Sequence, residues 1–280
     1  MLTEIEMIAF ANAKINIGLQ VLGRRADGYH QLETVFYPLK MYDVLEVVEA
    51  TDTRFIPSGI PIPGGAKDNL CLRAYRLLAE ACGLPPVHIY LHKTIPIGAG
   101  LGGGSADAAF LLTLLNDTFE LGLGESDLLG YARRLGADCA FFIRNVPVLA
   151  TEMGDVFEDI GVDLSGYHLV LVKPPVHVST AEAYRTVTPD PAGRQLKSAI
   201  GRPVVTWRET IVNDFEAGIF AAHPEIATIK EQLYQSGALF ASMSGSGSAV
   251  YGLFNKSIKI PELEINNQVF YMNNEDAKAW

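Results

Sequence analysis

Pro96-Ile-Gly-Ala-Gly-Leu-Gly-Gly-Gly-Ser-Ala-Asp107 places five glycines within seven residues, between a strand-like run ending at Lys93 and a helix-like run starting near Ser105. Glycine at this density weakens any regular element, so a local need must outweigh the entropy cost. Anion binding is such a need. Bare backbone N–H groups form a concavity for an anion, and the following helix adds the positive end of its dipole. Ser105 is placed to cap that helix, and Asp107 in its first turn would suit the dipole. A tight strand-to-helix turn is the plainer alternative, but it needs only one or two glycines. Two better-known motifs are excluded. Gly104, not Lys, precedes Ser105, against GxxxxGK[ST]. The acidic residue expected about twenty positions on, at the end of a second strand, is missing, because Glu125 opens a helix-like run. A nicotinamide or flavin cofactor is therefore not expected.

Other residues of the same chemical bias stand elsewhere. From Ile8 to Leu22 the chain alternates with period two, so Ala9, Ala11, Ala13, Ile15, Ile17, Leu19 and Val21 share a core face. Asn12, Lys14 and Asn16 share the other, with Lys14 and Asn16 about 6.5 Å apart. Alone, they would be a solvated sheet face. Asp138 stands after Gly136, before the apolar run Cys139–Ile143, where a carboxylate must find a cation or donors. A helix-terminal Asp is the competing reading, and Lys14 the obvious cation if the fold joins them. Tyr29 and His30 follow the Asp27-Gly28 turn and suit ring stacking plus a hydrogen bond at one planar ligand; a surface pair is equally open. Ser242-Met-Ser-Gly-Ser-Gly-Ser248 again permits close backbone approach to an anion.

The elements that must position these groups are partly legible. Strand-like runs end at Leu39, span Val44 to Val48, and span His88 to Lys93. Pro57 to Gly65 reads as a loop, and Asp68 or Asn69 can cap a helix stopped by Gly83. A helix capped by Ser126 ends at Gly136. Acids and glycines around Glu152–Asp163 suggest a domain boundary, placed at 153/154, giving domains 1–153 and 154–280. Beyond it come a strand, Tyr167 to Lys173, a helix capped by Thr180, and helices near 213–222 and 224–236. Strands follow at 249–254 and 267–272. His88 and His92 share a face and read as structural.

Composition sets bounds. A chain of 280 residues is long enough for two domains. Its net charge of −10 argues against a nucleic-acid partner. Three cysteines, Cys71, Cys82 and Cys139, read as buried thiols of a reducing compartment. No apolar run reaches membrane-spanning length, and Met1 to Phe10 lacks the basic flank of a signal peptide. The expectation is a soluble, cytoplasmic protein without membrane partners.

Ala13-Lys-Ile-Asn16, Pro96 to Ala106 and Met243-Ser-Gly-Ser-Gly-Ser248 resemble the three motifs of the GHMP small-molecule kinases. Within that superfamily, Gly23 to His30, Gly136-Ala-Asp138 and Asn213-Asp-Phe-Glu216 resemble the branch that phosphorylates the C2 hydroxyl of 4-diphosphocytidyl-2-C-methyl-D-erythritol. The similarity covers most of the chain to about Phe254. The resemblance implies an α+β chain of two domains, an N-terminal ribosomal-protein-S5-like domain and a C-terminal ferredoxin-like α/β sandwich, with the active site in the interdomain cleft. It implies ATP with Mg²⁺ as co-substrate, a diphosphocytidyl polyol as acceptor, no tightly bound cofactor, and a place in the mevalonate-independent route to isoprenoid precursors. By the same resemblance Asp138 is the base and Lys14 its cation. ATP is bound by Asn69 at the adenine and by Pro96, Ile97, Gly98, Ala99, Gly100, Leu101, Gly102, Gly103, Gly104, Ser105 and Ala106. By that resemblance Ser105 is the protein contact of the metal. The acceptor is bound by Asn16, Tyr29, His30, Thr180, Tyr184 and Gly245, with Tyr29 and His30 reading cytosine and Tyr184 opposite them. Cys139-Ala140 departs from the usual Val-Pro after the aspartate. A mevalonate-type or sugar kinase is the nearest rival, and Tyr29-His30 weighs against it because those substrates carry no base. A non-catalytic nucleotide sensor on the same scaffold is the other, and a retained Lys14 and Asp138 weigh against that.

Overall fold

Alternation from Ile8 onward does form one long strand, β1 (Met7–Arg24), but both of its faces are covered: every residue from Ala11 to Val21 is buried. The polar face is therefore no solvated surface; Asn12, Lys14 and Asn16 are each at most 3% exposed. The computed structural model describes residues 7–65 and 69–273. The remaining strands and helices alternate along the chain, and it divides into two compact units: Met1–Lys14, Leu39–Ile97 and Gly102–Asn145 form the first, and Ile15–Pro38, Gly98–Leu101 and Val146–Trp280 the second.

In the first unit, the Val44–Glu49 part of β2 (His30–Glu49) pairs antiparallel with β4 (Val87–Lys93), and β4 pairs parallel with β3 (Arg54–Gly59). The runs ending at Leu39 and starting at Val44, separate in the sequence reading, are one strand. Pro57 and Gly59 lie in β3 rather than in a loop, a tolerable place for proline because β3 is the edge of its sheet. The helices are α1 (Leu70–Cys82), α2 (Gly103–Thr118), α3 (Glu125–Leu135) and α4 (Ala137–Arg144), with α2 in contact with the other three. Leu78, Ile89, Leu91, Leu111, Leu112, Leu115 and Phe141 fill this core.

In the second unit, Leu32–Phe36 of β2 pairs antiparallel with β5 (Val148–Glu152), which forms a hairpin with β6 (Val156–Asp159). That hairpin occupies the acid- and glycine-interrupted stretch whose strands the periodicity misses. A four-stranded antiparallel sheet follows in the order β10 (Gln268–Asn273), β7 (His168–Lys173), β9 (Val250–Phe254), β8 (Phe240–Met243). Helices lie between β7 and β8 and a short one between β9 and β10, the split βαβ order of ferredoxin-like sandwiches. They are α5 (Thr180–Thr186), α6 (Leu196–Ile200), α7 (Trp207–Thr210), α8 (Phe215–Ala222), α9 (Pro224–Gln235) and α10 (Pro261–Glu264). Val170, Val172, Phe215, Ile219, Ile226, Leu233, Met243 and Val250 belong to one apolar cluster with Leu19 and Val21.

Several start signals are displaced. Ser105 does not cap α2. Gly102, in the left-handed region at φ 71°, ends the loop and lets the helix begin at Gly103, which puts Ser105 inside its first turn. Asp107 is past that turn and buried. Ser126 lies within α3, whose first residues are held by the Gly124 N–H donating to Asp127 Oδ2 at 3.1 Å. Ser179, not Thr180, caps α5 by accepting from the Glu182 N–H. Asn69 does cap α1, accepting from the Leu72 N–H at 3.1 Å, while Asp68 lies outside the described residues. His88 has a carboxylate partner, Asp52 at 3.1 Å, and Cys82 is exposed, against the buried reading, while Cys71 and Cys139 are buried. Among the described residues no helix is long and apolar enough to cross a membrane.

Candidate active site

Two facts about β1 and α4 create the central pair. Lys14 leaves the buried polar face of β1, and Asp138 opens α4 directly after α3. Lys14 Nζ stands 3.4 Å from Asp138 Oδ2, with the lysine side chain 4% and the aspartate 37% exposed. The carboxylate thus lies in the first turn of a helix, where the dipole favours its charge, and it keeps an open side. The far end of α4 is tied to the same strand: the Asn145 side-chain N–H donates to Asn12 Oδ1 at 2.8 Å, and Asn145 is the left-handed residue that ends the helix. Asn12 is held in turn by donating to the Ala13 carbonyl at 2.9 Å. β1 therefore grips α4 at both ends and fixes where Asp138 points. Lys14 is packed close to the glycine loop, since a Cβ on Gly102 would lie 3.1 Å from its Cγ.

Cys139 and Ala140 continue α4 without interruption. Burial pushes the Cys139 thiol up to about 11, so it remains a neutral, small apolar group. The Ser105 side chain interacts with the thiol.

The glycine loop is anchored by a buried trio that the sequence gives little sign of. Lys93, the last residue of β4, donates to Asp107 Oδ2 at 2.7 Å and also to Asp43. Asp43, within β2, accepts from the Thr94 and Ile95 N–H groups at 2.6 and 2.9 Å as well. Two carboxylates share one ammonium in this buried trio. Asp43 has the backbone donors. Asp107, whose Oδ1 is buried without a hydrogen-bond partner, is pushed up to about 7, chiefly by desolvation. An isolated acid inside each of two apolar runs was the only available signal.

Part of the glycine density serves protein packing. A Cβ on Gly100, which has φ 76°, would collide with the Ser244 carbonyl oxygen. A Cβ on Gly103 would fall 2.9 Å from Lys93 Nζ. Gly104 is different: the nearest atom is the Leu70 Cδ1 at 4.0 Å, so its surroundings are open. Beside Asn69 lies a cavity of about 610 Å³ whose walls include Phe55, Ile62, Leu72, Tyr75 and Arg76.

Within the second unit, Asn16 is fixed on three sides. Its N–H donates to Ser244 Oγ at 3.2 Å, its side chain to Thr34 Oγ1 at 3.0 Å, and its carbonyl accepts from Tyr251 at 3.0 Å. Gly245 is its neighbour, for a Cβ there would sit 3.2 Å from Asn16 Oδ1. Ser244 Oγ donates to the Gly100 carbonyl at 2.8 Å, joining the two glycine-rich segments. The His30 and Tyr184 rings are stacked on one another at 4.4 Å and 18°, with Phe215 edge-on to Tyr184 at 4.9 Å. Tyr29 is 64% exposed. Thr180 occupies the first turn of α5, four positions before Tyr184.

A glycine loop leading into a helix, a buried lysine on an accessible carboxylate, and a split βαβ second unit define a small-molecule kinase of the GHMP type. The model of the GHMP kinases N terminal domain matches residues 69–145, and that of the GHMP kinases C terminal region matches 202–263. The 4-diphosphocytidyl-2-C-methyl-D-erythritol kinase of Azobacteroides pseudotrichonymphae is 52% identical over 89% of this chain and 94% of its own length. That of Bacteroides thetaiotaomicron is 50% identical over 94% and 98%. A crystal structure of 4-(cytidine 5'-diphospho)-2C-methyl-D-erythritol kinase superposes with a TM-score of 0.76 at 33% identity, covering 95% of this chain and 98% of that one. The chain belongs to the 4-diphosphocytidyl-2-C-methyl-D-erythritol kinase family.

Proposed function

We propose that this chain moves the γ-phosphoryl group of ATP to the C2 hydroxyl of 4-diphosphocytidyl-2-C-methyl-D-erythritol, a step toward isoprenoid precursors. The observation that carries the reading, in a chain of this family, is the pair of buried Lys14 and accessible Asp138. Phosphoryl transfer asks little covalent chemistry of a protein and much positioning and charge stabilisation. Asp138 accepts the hydroxyl proton as the oxygen attacks. Lys14, paired with Asp138 at 3.4 Å, orients the carboxylate and offsets the charge that develops.

Backbone N–H groups of residues 96–106 hold the phosphates, with the start of α2 adding its dipole. The cavity beside Asn69 takes the adenine. Asn16 and Gly245 bind the polyol, Tyr29, His30 and Tyr184 the cytosine, and Thr180 assists from the first turn of α5. Mg²⁺ travels with ATP and supplies charge neutralisation on the phosphates. Ser105 fits as its protein contact, because it lies in the first turn of α2 and its hydroxyl oxygen carries lone pairs that can face a cation. We assign the protein to the cytoplasm.

Coupled ADP-release kinetics on a panel of diphosphocytidyl, mevalonate and sugar alcohols tests the assignment. Turnover confined to a mevalonate or sugar alcohol would replace the acceptor named here. The phosphate loop has its own test. Gly104→Val fills open space where phosphate oxygens are expected, so a rise in the KM for ATP of roughly tenfold or more is expected, with the fold intact. Gly103→Val is a poor probe, since its side chain would strike Lys93 and Ile95 and disturb the buried trio. Unchanged ATP binding by Gly104→Val would make the loop a packing device only.

A further inference from the structure

Asn213-Asp-Phe-Glu216 contributes no group to the chemistry above, yet each of its four side chains holds a part of the second unit that the chemistry needs. The Asn213 carboxamide is fully used. Its N–H groups donate to the Met243 and Gly245 carbonyls at 2.9 and 2.8 Å, and its oxygen accepts from the Phe215 N–H at 3.0 Å. Glu216 Oε1 accepts from the Met243 N–H at 2.8 Å and from Ser242 Oγ at 3.1 Å, while Oε2 takes Lys230 at 2.6 Å. Asp214 accepts from the Val21 N–H at 2.9 Å, and its own N–H donates to the Leu19 carbonyl at 2.8 Å. Phe215 lies edge-on to Tyr184, the ring stacked on His30. Asn213 and Phe215 are 1% and 2% exposed, so water does not substitute for these contacts.

The consequence for the turn after β8 follows from peptide planarity. Holding the Gly245 carbonyl toward Asn213 turns the Ser246 N–H of the same trans peptide the opposite way, away from Asn213. The carboxamide thus chooses which face of the turn offers a donor. Gly245 sits at φ 55°, in the left-handed region that glycine enters without strain, and the turn is also closed by the Gly247 N–H donating to the Ser244 carbonyl at 2.9 Å.

We propose that Asn213, Phe215 and Glu216 form one positioning unit for the phosphate acceptor: Asn213 and Glu216 set the Ser244–Gly247 turn, and Phe215 sets the His30–Tyr184 rings. This rests on the acceptor assignment made above. None of the three touches substrate; they act through Gly245, Ser246 and Tyr184.

Asn213→Asp keeps the shape and loses both donors, and Phe215→Leu keeps the apolar volume and loses the ring edge. For Asn213→Asp, kcat/KM for the cytidylyl polyol is expected to fall by about ten- to a hundredfold, the scale of one or two buried hydrogen bonds, with the KM for ATP within about threefold of wild type. For Phe215→Leu, the Kd for free CMP in titration calorimetry is expected to rise roughly two- to tenfold, the worth of an edge-on aromatic pair. Ile226→Val, a core change in the same unit, is the control for lost stability and should lower Tm without separating the two substrates. Folded variants that match wild type, or that shift both substrates together as the control does, overturn the proposal. If Asn213→Asp does not fold, the CMP isotherm of Phe215→Leu decides, and an unchanged Kd overturns it. Wild-type protein run alongside separates the two levels. Absence of ADP release with the cytidylyl polyol sinks the functional reading, and the positioning proposal then stands or falls on the CMP isotherms.

Discussion

Asp138→Asn is expected to lower kcat by a factor on the order of 10²–10⁴, the range for a lost general base. The amide has the volume of the carboxylate and still accepts from Lys14, but it cannot take a proton from the acceptor hydroxyl. The residue is 37% exposed, so losing its charge should shift Tm little compared with losing a fully buried one. ATP affinity should hardly change, because the loop and the cavity beside Asn69 keep their geometry. Coupled ADP release measures the first quantity and nucleotide titration the second. Turnover near that of the wild type would remove Asp138 from the mechanism and leave its pairing with Lys14 as a structural tie between β1 and α4.

The second large effect concerns the base. Tyr29→Ala is expected to raise the KM for the cytidylyl substrate by roughly one to two orders of magnitude, the scale of one base–aromatic stack, with ATP binding spared. His30→Ala should weaken the same substrate through a lost hydrogen bond to the base edge and relax the preference for cytosine over uracil. The observed rings refine how this happens. His30 and Tyr184 are in contact at 4.4 Å, so no base lies between them in this arrangement. On the proposed assignment, cytosine would either stack on the outside of the pair, beside the exposed Tyr29, or part the two rings. Competition by free CMP isolates the base from the chemistry. CMP that competes with ATP and not with the phosphate acceptor would show that Tyr29, His30 and Tyr184 do not form a cytosine site.

The signals that carried through from sequence are local ones. Period-two alternation marks β1, helical spacing and Gly83 mark α1, and the apolar run Tyr167 to Lys173 marks β7. Each depends on neighbours a few residues away, which is the range over which propensity and periodicity act. Cap residues were less legible. Ser105, Ser126 and Thr180 are good caps by type, but helix starts were decided by the Gly102 dihedral, by the Gly124–Asp127 bond and by Ser179 one position earlier. Several adjacent residues could each begin a helix, and packing of the whole element selects among them.

Partners of buried polar groups were not legible at all. Residue types alone offered Lys14, Asp138, Asn16 and the two glycine-rich segments as chemistry-bearing, and those motifs were enough to indicate the family. They did not reveal that Asn16 is held by Tyr251, 235 positions away, or that Lys93 shares two carboxylates beside the glycine loop. Nor did they reveal that Gly100 is required by the Ser244 carbonyl. The cause is energetic. A charge or amide removed from water must find a partner wherever the chain brings one, and that choice is made by desolvation in the folded state, not by spacing along the sequence. Sequence by itself determined which groups are available for phosphoryl transfer; the tertiary structure decided which of them are held, by what, and which side of each remains open.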